Sequence, residues 1–314
     1  MRVFYDLDNL PTFNRPVLTI GTFDGVHQGH RIILDRIKKR AKEAGGESVI
    51  ITFDPHPRLV LGSQQNLSLL QTLDEKISAL EALSIDNLVV VRFTKEFAEQ
   101  SAEEYIQEFL VNHFHPYAII IGYDHQYGKG RSGDYHLLEK YKEKFGYQLE
   151  EIPVQEIKES AVSSTRIRTA IQTGDMKTAN ELLGKSYSFN GLVVDGDKRG
   201  RLIGFPTANI LIQDPYKLVP VNGVYAVKAF IQGIEYKGMM NIGVRPTVET
   251  SLERKIEVHL FDFNETIYGQ QLRVECIGKI RDEEKFDGIE KLIAQLSLDK
   301  KDALSMLSNN NSNY

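Results

Sequence analysis

The sequence predicts an α/β chain of two domains, an N-terminal doubly wound parallel sheet followed by a small antiparallel β-barrel with a terminal helix. Three observations predict it. An apolar run, Val17 to Ile20, meets the glycine-rich string GTFDGVHQGH, which then opens into a helical pattern. Strand-like and helix-like segments alternate from there to about residue 154, as parallel sheets with crossover helices require. From Tyr187 onward short β-rich runs separated by turns take over. The boundary is therefore expected at Gly184, giving domains 1–184 and 185–314.

Taken in order, the opening MRVFYDLDNLPTFNRP carries acids and prolines where a secretory leader needs an apolar core. After the strand at 17–20, Ile32, Ile33, Leu34, Ile37 and Ala41 form the apolar stripe of a helix over 31–44, stopped by Gly45 and Gly46. The apolar run 48–53 reads as a buried strand ending in Asp54-Pro55-His56-Pro57, a loop stiffened by its prolines. A helix at 74–83, a strand at 87–93, a helix at 102–114 and strands at 118–122 and 148–154 follow. In the second domain, strands are expected at 188–194, 224–231, 255–261 and 271–280, then a helix at 286–296 and a disordered NNNSNY tail.

Composition narrows the class of function. The 314 residues suffice for two cores, and 41% hydrophobic with 26% charged residues is ordinary for a water-soluble chain. No run approaches the ~18 apolar residues of a membrane span, so no membrane association is expected. The single cysteine, Cys276, has no partner for an internal disulfide, which fits a reducing, cytoplasmic setting. With 38 basic and 43 acidic residues the net charge is -5, which argues against nucleic acid as a partner. Local basic clusters are left to serve small anions. Oligomeric state leaves no mark in the sequence.

The chemistry concentrates in a few places. A strand, tight loop and helix start bring backbone N–H groups and the positive end of a helix dipole together, a seat for phosphate. His27 and His30 sit there three residues apart with Gly29 between them, and Gly21 and Gly25 permit the turns. Taken singly, His27 would be an ordinary loop residue and His30 a first-turn residue. The loop 122–133, GYDHQYGKGRSG, is not a Walker A motif, because five residues separate Gly122 from Gly128 and Lys129 is followed by Gly130. Ser163, Ser164 and Thr165 precede Arg166 and Arg168 at a helix start, where small hydroxyls cap and Arg168 offers a forked cation for phosphate. Capping alone explains the hydroxyls but not both arginines. In the second domain, Gly196, Gly200 and Gly204 let a loop wrap phosphates, while the Thr207 hydroxyl and Asn209 amide suit Mg²⁺. Alternation places Glu257, His259 and Phe261 on one strand face and Ile256, Val258 and Leu260 on the other.

The HxGH string at the end of a first strand resembles the signature of the nucleotidylyltransferase superfamily, and GTFDGVHQGH resembles the N-terminal half of prokaryotic bifunctional riboflavin kinase/FAD synthetases. The 122–133 loop is similar to that family's GxDFxFGxxRxG pattern, with His125 in place of the first Phe and Tyr127 in place of the second, and residues 163–168 resemble its ISSTxIR segment. GLVVDGDKRGRLIGFPTAN at 191–209 resembles the riboflavin kinase signature, continued by NIG at 241–243, RPT at 245–247, EVHLFDF at 257–263 and Tyr268-Gly269. The resemblance covers essentially the whole chain. It implies a Rossmann-like nucleotidylyltransferase domain that converts FMN and ATP to FAD and pyrophosphate, and a barrel that converts riboflavin and ATP to FMN. It further implies His27 and His30 as catalytic in adenylyl transfer and Glu257 as the kinase base. ATP contacts would fall on Gly21, Phe23, Gly29, Ser163, Ser164, Thr165 and Arg168 in one site, and on Gly196, Gly200, Thr207 and Asn209 in the other. Flavin contacts would fall on Asp54, His56, Asp124, Tyr127, Arg131 and Arg245, and Mg²⁺ would be held by Thr207 and Asn209. Riboflavin, FMN and ATP are then the small-molecule partners. Two other readings remain: an HxGH adenylyltransferase acting on pantetheine phosphate or nicotinamide mononucleotide, against which the FPTAN segment argues, and a flavin-binding module without turnover.

Overall fold

A computed structural model describes residues 1–62, 67–153, 162–196, 199–246 and 252–309, with only the backbone considered at Arg199, Arg245, Pro246, Leu252, Glu253 and Asn309. The chain divides into two compact units, Met1–Ser163 and Ser164–Tyr314. The division falls ahead of the expected 184. Two helices, Ser164–Thr173 and Met176–Leu183, are counted with the second unit.

The first unit is built on six parallel strands, β1 (Arg2–Phe4), β2 (Val17–Ile20), β3 (Ser48–Asp54), β4 (Asn87–Arg92), β5 (Ala118–Gly122) and β6 (Gln148–Ile152), in the order β1-β4-β3-β2-β5-β6. All four residues of β2 and the first six of β3 are buried, because a parallel sheet is covered on both faces. Strand order reverses direction at β2, whose neighbours are β3 and β5. A ligand crevice opens at the carboxyl ends of such strands. Helix α1 (Gln28–Ala44) buries Leu34, Ile37 and Ala41, and Gly45 ends it with a left-handed φ of 61°. It begins three residues before the expected start, so His27 is its N-cap. Residues 102–114 are helical as expected, but Tyr105–Val111 is wound as a π-helix. A helix at Tyr135–Phe145, with Leu138 buried, was not anticipated: its YHLLEKYKEKF text is mostly polar.

The second unit is a closed antiparallel barrel of β7 (Tyr187–Val194), β8 (Ala208–Leu211), β9 (Gly223–Ile231), β10 (Ile234–Pro246), β11 (Leu252–Leu260) and β12 (Gln271–Arg281), in the order β10-β11-β8-β7-β12-β9. Closure leaves no unpaired sheet edge. Strands β8 and β10 are additions to the sequence reading. Helix α2 (Ile289–Asn309) covers one outer patch, burying Ala303 and Leu307 against Ala226, Met239, Phe261 and Ile277. It starts later and runs further than the expected 286–296. Asp299 and the Lys300-Lys301-Asp302 run look like a helix end, yet Asp299 is fully buried and taken by Arg281 through two hydrogen bonds of 2.9 and 2.8 Å. The 309–314 tail beyond Asn309, Val154 and Thr247 lie outside the described residues. The helices at Ser164–Thr173 and Met176–Leu183 join this unit through a buried asparagine. Asn180 donates to the Cys276 and Ile277 carbonyls at 2.9 and 3.3 Å and accepts from the Tyr187 N–H at 2.7 Å. The two carbonyls lie where a bulge between Cys276 and Gly278 interrupts the β12–β9 register.

Candidate active sites

In the first unit, the loop 21–27 carries the chain from the end of β2 into α1 through an unusual run of backbone. Phe23 and Val26 adopt left-handed φ values of 47° and 42°, with Gly25 at 97°. Such conformations persist only where surrounding structure enforces them, and both side chains are buried. A Cβ at Gly21 would lie 3.1 Å from the Phe23 ring, a tight approach. His27 is 5% exposed, and its Nδ1 accepts the His30 N–H at 3.3 Å as the helix N-cap. That bond leaves the ring proton on Nε2. The His27 and His30 rings stack with centroids 3.6 Å apart at 13°, and Phe23 closes edge-on against His30 at 5.2 Å. Burial first, then the His27 ring and the Lys76 charge, hold the His30 imidazole well below its ordinary pKa, so it is neutral at pH 7. Its Nδ1 is buried without a hydrogen-bond partner among the described residues. A pair of neutral rings at a helix N-terminus can donate to phosphate without repelling one another.

The neighbouring strands bring other expected residues to the same sheet edge. Asp54 ends β3 and Asp124 follows β5, both exposed, and β2 lies between those strands. His56 is 8% exposed and caps the Pro57–Val60 turn by accepting the Arg58 N–H at 3.1 Å. Tyr127 is buried rather than reaching out: its ring stacks on Tyr105 at 4.8 Å and its hydroxyl donates to the Asp134 carbonyl at 3.1 Å. It braces the loop in which Arg131 is exposed with φ 61°. His125 stacks on Tyr127 at 5.7 Å; burial lowers its pKa to about 4, and its Nε2 has no partner among the described residues. Ser163 is the last residue of the first unit, whereas Ser164, Thr165 and Arg168 lie in the Ser164–Thr173 helix of the second. The sequence reading passed over Lys76, which is 6% exposed and donates to Thr52 Oγ1 at 3.2 Å.

In the second unit the site is assembled by strand register. Asn241 on β10 pairs with Glu257 on β11, and Glu257 pairs with Asn209 on β8, so the three form one row across three strands. A cavity of about 260 Å³ is lined by Glu257 and Asn241 together with Thr207, Phe205, Met239 and His259. A second, of about 380 Å³, is lined by Thr207, Val258 and Leu260 with Arg201 and Tyr268. The two faces of β11 thus serve two cavities that meet at Thr207. Arg201 donates to the Tyr268 hydroxyl at 3.3 Å across the larger one. His259 Nδ1 donates to the Pro206 carbonyl at 2.7 Å, tying the Pro206-Thr207 turn to β11. Close packing explains two glycines. A Cβ at Gly196 would strike the Asn209 amide, and one at Gly200 would strike the Phe205 carbonyl. Arg245 is paired with Glu253 in the β10–β11 register, and its side chain lies outside the described residues. Neither Asn241 nor His259 was assigned a role from sequence, although both fall within strings quoted there.

As to metal, no group of three or more His, Cys, Asp or Glu suited to an ion occurs among the described residues. Thr207 and Asn209 offer one hydroxyl and one amide oxygen, neutral hard donors that fit a Mg²⁺ arriving with phosphate oxygens rather than one held by protein alone. No described helix is long and apolar enough to cross a membrane.

Comparison with known proteins agrees with the two-unit layout. Residues 11–166 match the FAD synthetase family model and residues 183–307 match the riboflavin kinase model. The chain is 40% identical over 299 residues to a bifunctional riboflavin kinase/FMN adenylyltransferase of Bacillus subtilis, covering 94% of this chain and 93% of that one. It is 36% identical over 287 residues to one of Escherichia coli, covering 90% of each. A crystal structure of a macrolide-efflux protein from Streptococcus pneumoniae is similar with a TM-score of 0.83 at 30% identity, over 95% of this chain and 97% of that one.

Proposed function

Because the chain belongs to the family of bifunctional riboflavin kinase/FMN adenylyltransferases, we propose that its two activities occupy two separate sites, with Glu257 serving riboflavin phosphorylation and His27 and His30 serving FMN adenylylation. The enzyme makes FMN from riboflavin and FAD from FMN, each at the expense of ATP. The observation that carries the assignment is the register row Asn241–Glu257–Asn209, which puts the one carboxylate of that row in the cavity it shares with Thr207.

The two steps ask for different equipment. The primary hydroxyl of riboflavin's ribityl chain is a poor nucleophile near pH 7 and gains from a carboxylate within reach. Glu257 accepts that proton as the hydroxyl oxygen attacks the γ-phosphorus of ATP and ADP departs. Riboflavin suits the smaller cavity, walled by Phe205, Met239, Phe286 and Leu296, and ATP the larger, with Arg201 and Tyr268. Thr207, common to both, marks where hydroxyl and γ-phosphate meet. Thr207 and Asn209 would hold Mg²⁺, which when bound neutralises phosphate charge.

FMN needs no base, since its phosphate is already anionic with a second pKa near ~6. One of its oxygens attacks the α-phosphorus of ATP and pyrophosphate leaves. Orientation and charge stabilisation suffice, supplied by the α1 N-terminus and by donors from His27 and His30. Gly21, Phe23 and Gly29 shape the nucleotide seat; Ser163, Ser164, Thr165 and Arg168 are the residues to which the family resemblance assigns further phosphate contacts. Asp54, His56, Asp124, Arg131 and, in the barrel, Arg245 are the flavin contacts, while Tyr127, expected as one, acts from its buried place by bracing the loop that carries Arg131. On this reading residues 1–184 adenylylate, residues 185–314 phosphorylate, and the enzyme works in the cytoplasm. Incubation with riboflavin, ATP and Mg²⁺ followed by separation of the flavins tests it: FMN and then FAD are expected, and absence of both overturns it.

A further inference from the structure

Lys76 stands where the fold calls for an apolar residue. It lies on the helix Leu73–Glu81, four residues before the fully buried Leu80 and on the same face. Two costs attach to a cation there. Burial disfavours its charge, and the first helical turn presents the positive end of the helix dipole. The nearby acids offset these costs only in part. Glu75 is engaged in the capping box, accepting the Thr72 N–H at 3.1 Å. Asp24, itself 2% exposed, accepts the Leu70 and Gln71 N–H groups, each at 3.1 Å. Burial lowers the Lys76 pKa more than Asp24 and Asp54 raise it. The hydrogen bond found for the ammonium among the described residues goes to the neutral Thr52 Oγ1, at 3.2 Å. A side chain retained against packing and electrostatics is a candidate for function.

Its surroundings say which function. Thr52 is fully buried on β3, and its hydroxyl donates at 3.3 Å to the carbonyl of Thr22, in the loop that leads to His27. The ammonium occupies a lone pair of that hydroxyl and so directs its proton at Thr22. Its charge is also felt at His30. We propose that Lys76 is a positioning residue for FMN adenylylation: through Thr52 it fixes the Thr22 end of the phosphate loop, and it sets a cationic group beside that loop. The inference rests on the assignment of adenylylation to the first unit. The other lysine buried among the described residues, Lys217, belongs to the second unit, where it donates to the Ser188 carbonyl.

The test uses the full-length enzyme with Lys76→Met and Thr52→Val. Each variant is assayed for FAD from supplied FMN and for FMN from supplied riboflavin, and its melting temperature is recorded. Lys76→Met is expected to lower adenylylation about 10- to 100-fold, mainly in kcat, the loss of a preorganised electrostatic group. Kinase activity should stay at the wild-type level, and melting should be unchanged or higher, because a buried charge has been replaced by an apolar chain of similar length. Thr52→Val, which keeps the shape and the ammonium but breaks the link, should slow adenylylation several-fold. Full adenylylation by Lys76→Met beside an active wild type overturns this inference alone. So does a loss of both activities together with a lowered melting temperature, if Thr52→Val is then fully active. A wild type that makes no FAD from FMN overturns the underlying assignment and this inference with it.

Discussion

The first unit gathers its reactive rings on ten consecutive residues, 21–30, whereas the second spreads its polar row over β10, β11 and β8, with Asn209, Asn241 and Glu257 on three separate stretches of the sequence. The difference follows from what each backbone offers. A parallel sheet feeding a helix presents N–H groups and a dipole at one junction, so a short loop with small residues can make an anion seat. A closed antiparallel barrel has its backbone groups already paired, so its chemistry must come from side chains aligned by register. The lesson is that the first site depends on main-chain shape, and the second on keeping three strands in step.

Glu257→Gln should give the largest separation of the two. It keeps the shape and removes the proton acceptor, so riboflavin phosphorylation should fall by roughly 10²–10⁴ while FAD still forms from supplied FMN. Equal loss of both reactions in a folded protein would break the comparison. His27→Ala or His30→Ala should produce the mirror image, a loss of FAD formation by about 10²–10³ with the kinase intact. Retained FAD synthesis with a damaged kinase would reverse the assignment. A smaller effect is expected from Asn209→Ala, which should raise the Mg²⁺ and ATP concentrations needed for FMN formation by about tenfold and leave those for adenylylation alone; titrating both reactions with Mg²⁺ checks it.

The weakest effect sharpens the contrast through pH. His30 has its pKa held well below the ordinary value by burial, so its neutral form persists as pH falls from 7 to 6, and adenylylation should show no inflection from it near ~6.5. The unfolded chain protonates the same ring first. The corresponding contribution to stability is therefore full above about pH 6.5 and is lost as pH falls below that toward the folded value. Melting of wild type and His30→Ala between pH 7 and 5 should converge as the wild type is acidified.

How much of this was legible follows the same division. The HxGH junction could be read because its parts are contiguous, and apolar runs such as IIIG at 119–122 announce a buried parallel strand by themselves. Strand β8 could not, since four residues behind a proline turn carry too little pattern. Lys76 was hidden for a different reason: in DEKISALE a lysine directly behind two acids reads as a solvated face, and only the packing of its helix turns it inward. Helix α2 was cut short on the same ground, because the buried Asp299 is intelligible only with Arg281 from β12 beside it. Partners distant in the chain are what local periodicity does not carry.

Asn180 decides where this protein can be cut. Its amide satisfies two carbonyls exposed by the β12 bulge and its oxygen holds the first N–H of β7, so a fragment beginning at residue 185 would carry a barrel with a hole in its hydrogen bonding. A fragment beginning at Ser164 would take the clasp with it. Any attempt to express the barrel alone, or to graft it onto another enzyme, should therefore be joined ahead of the helix that bears Asn180, and a gene fusion made at the apparent change of sequence texture would sever the unit it meant to preserve.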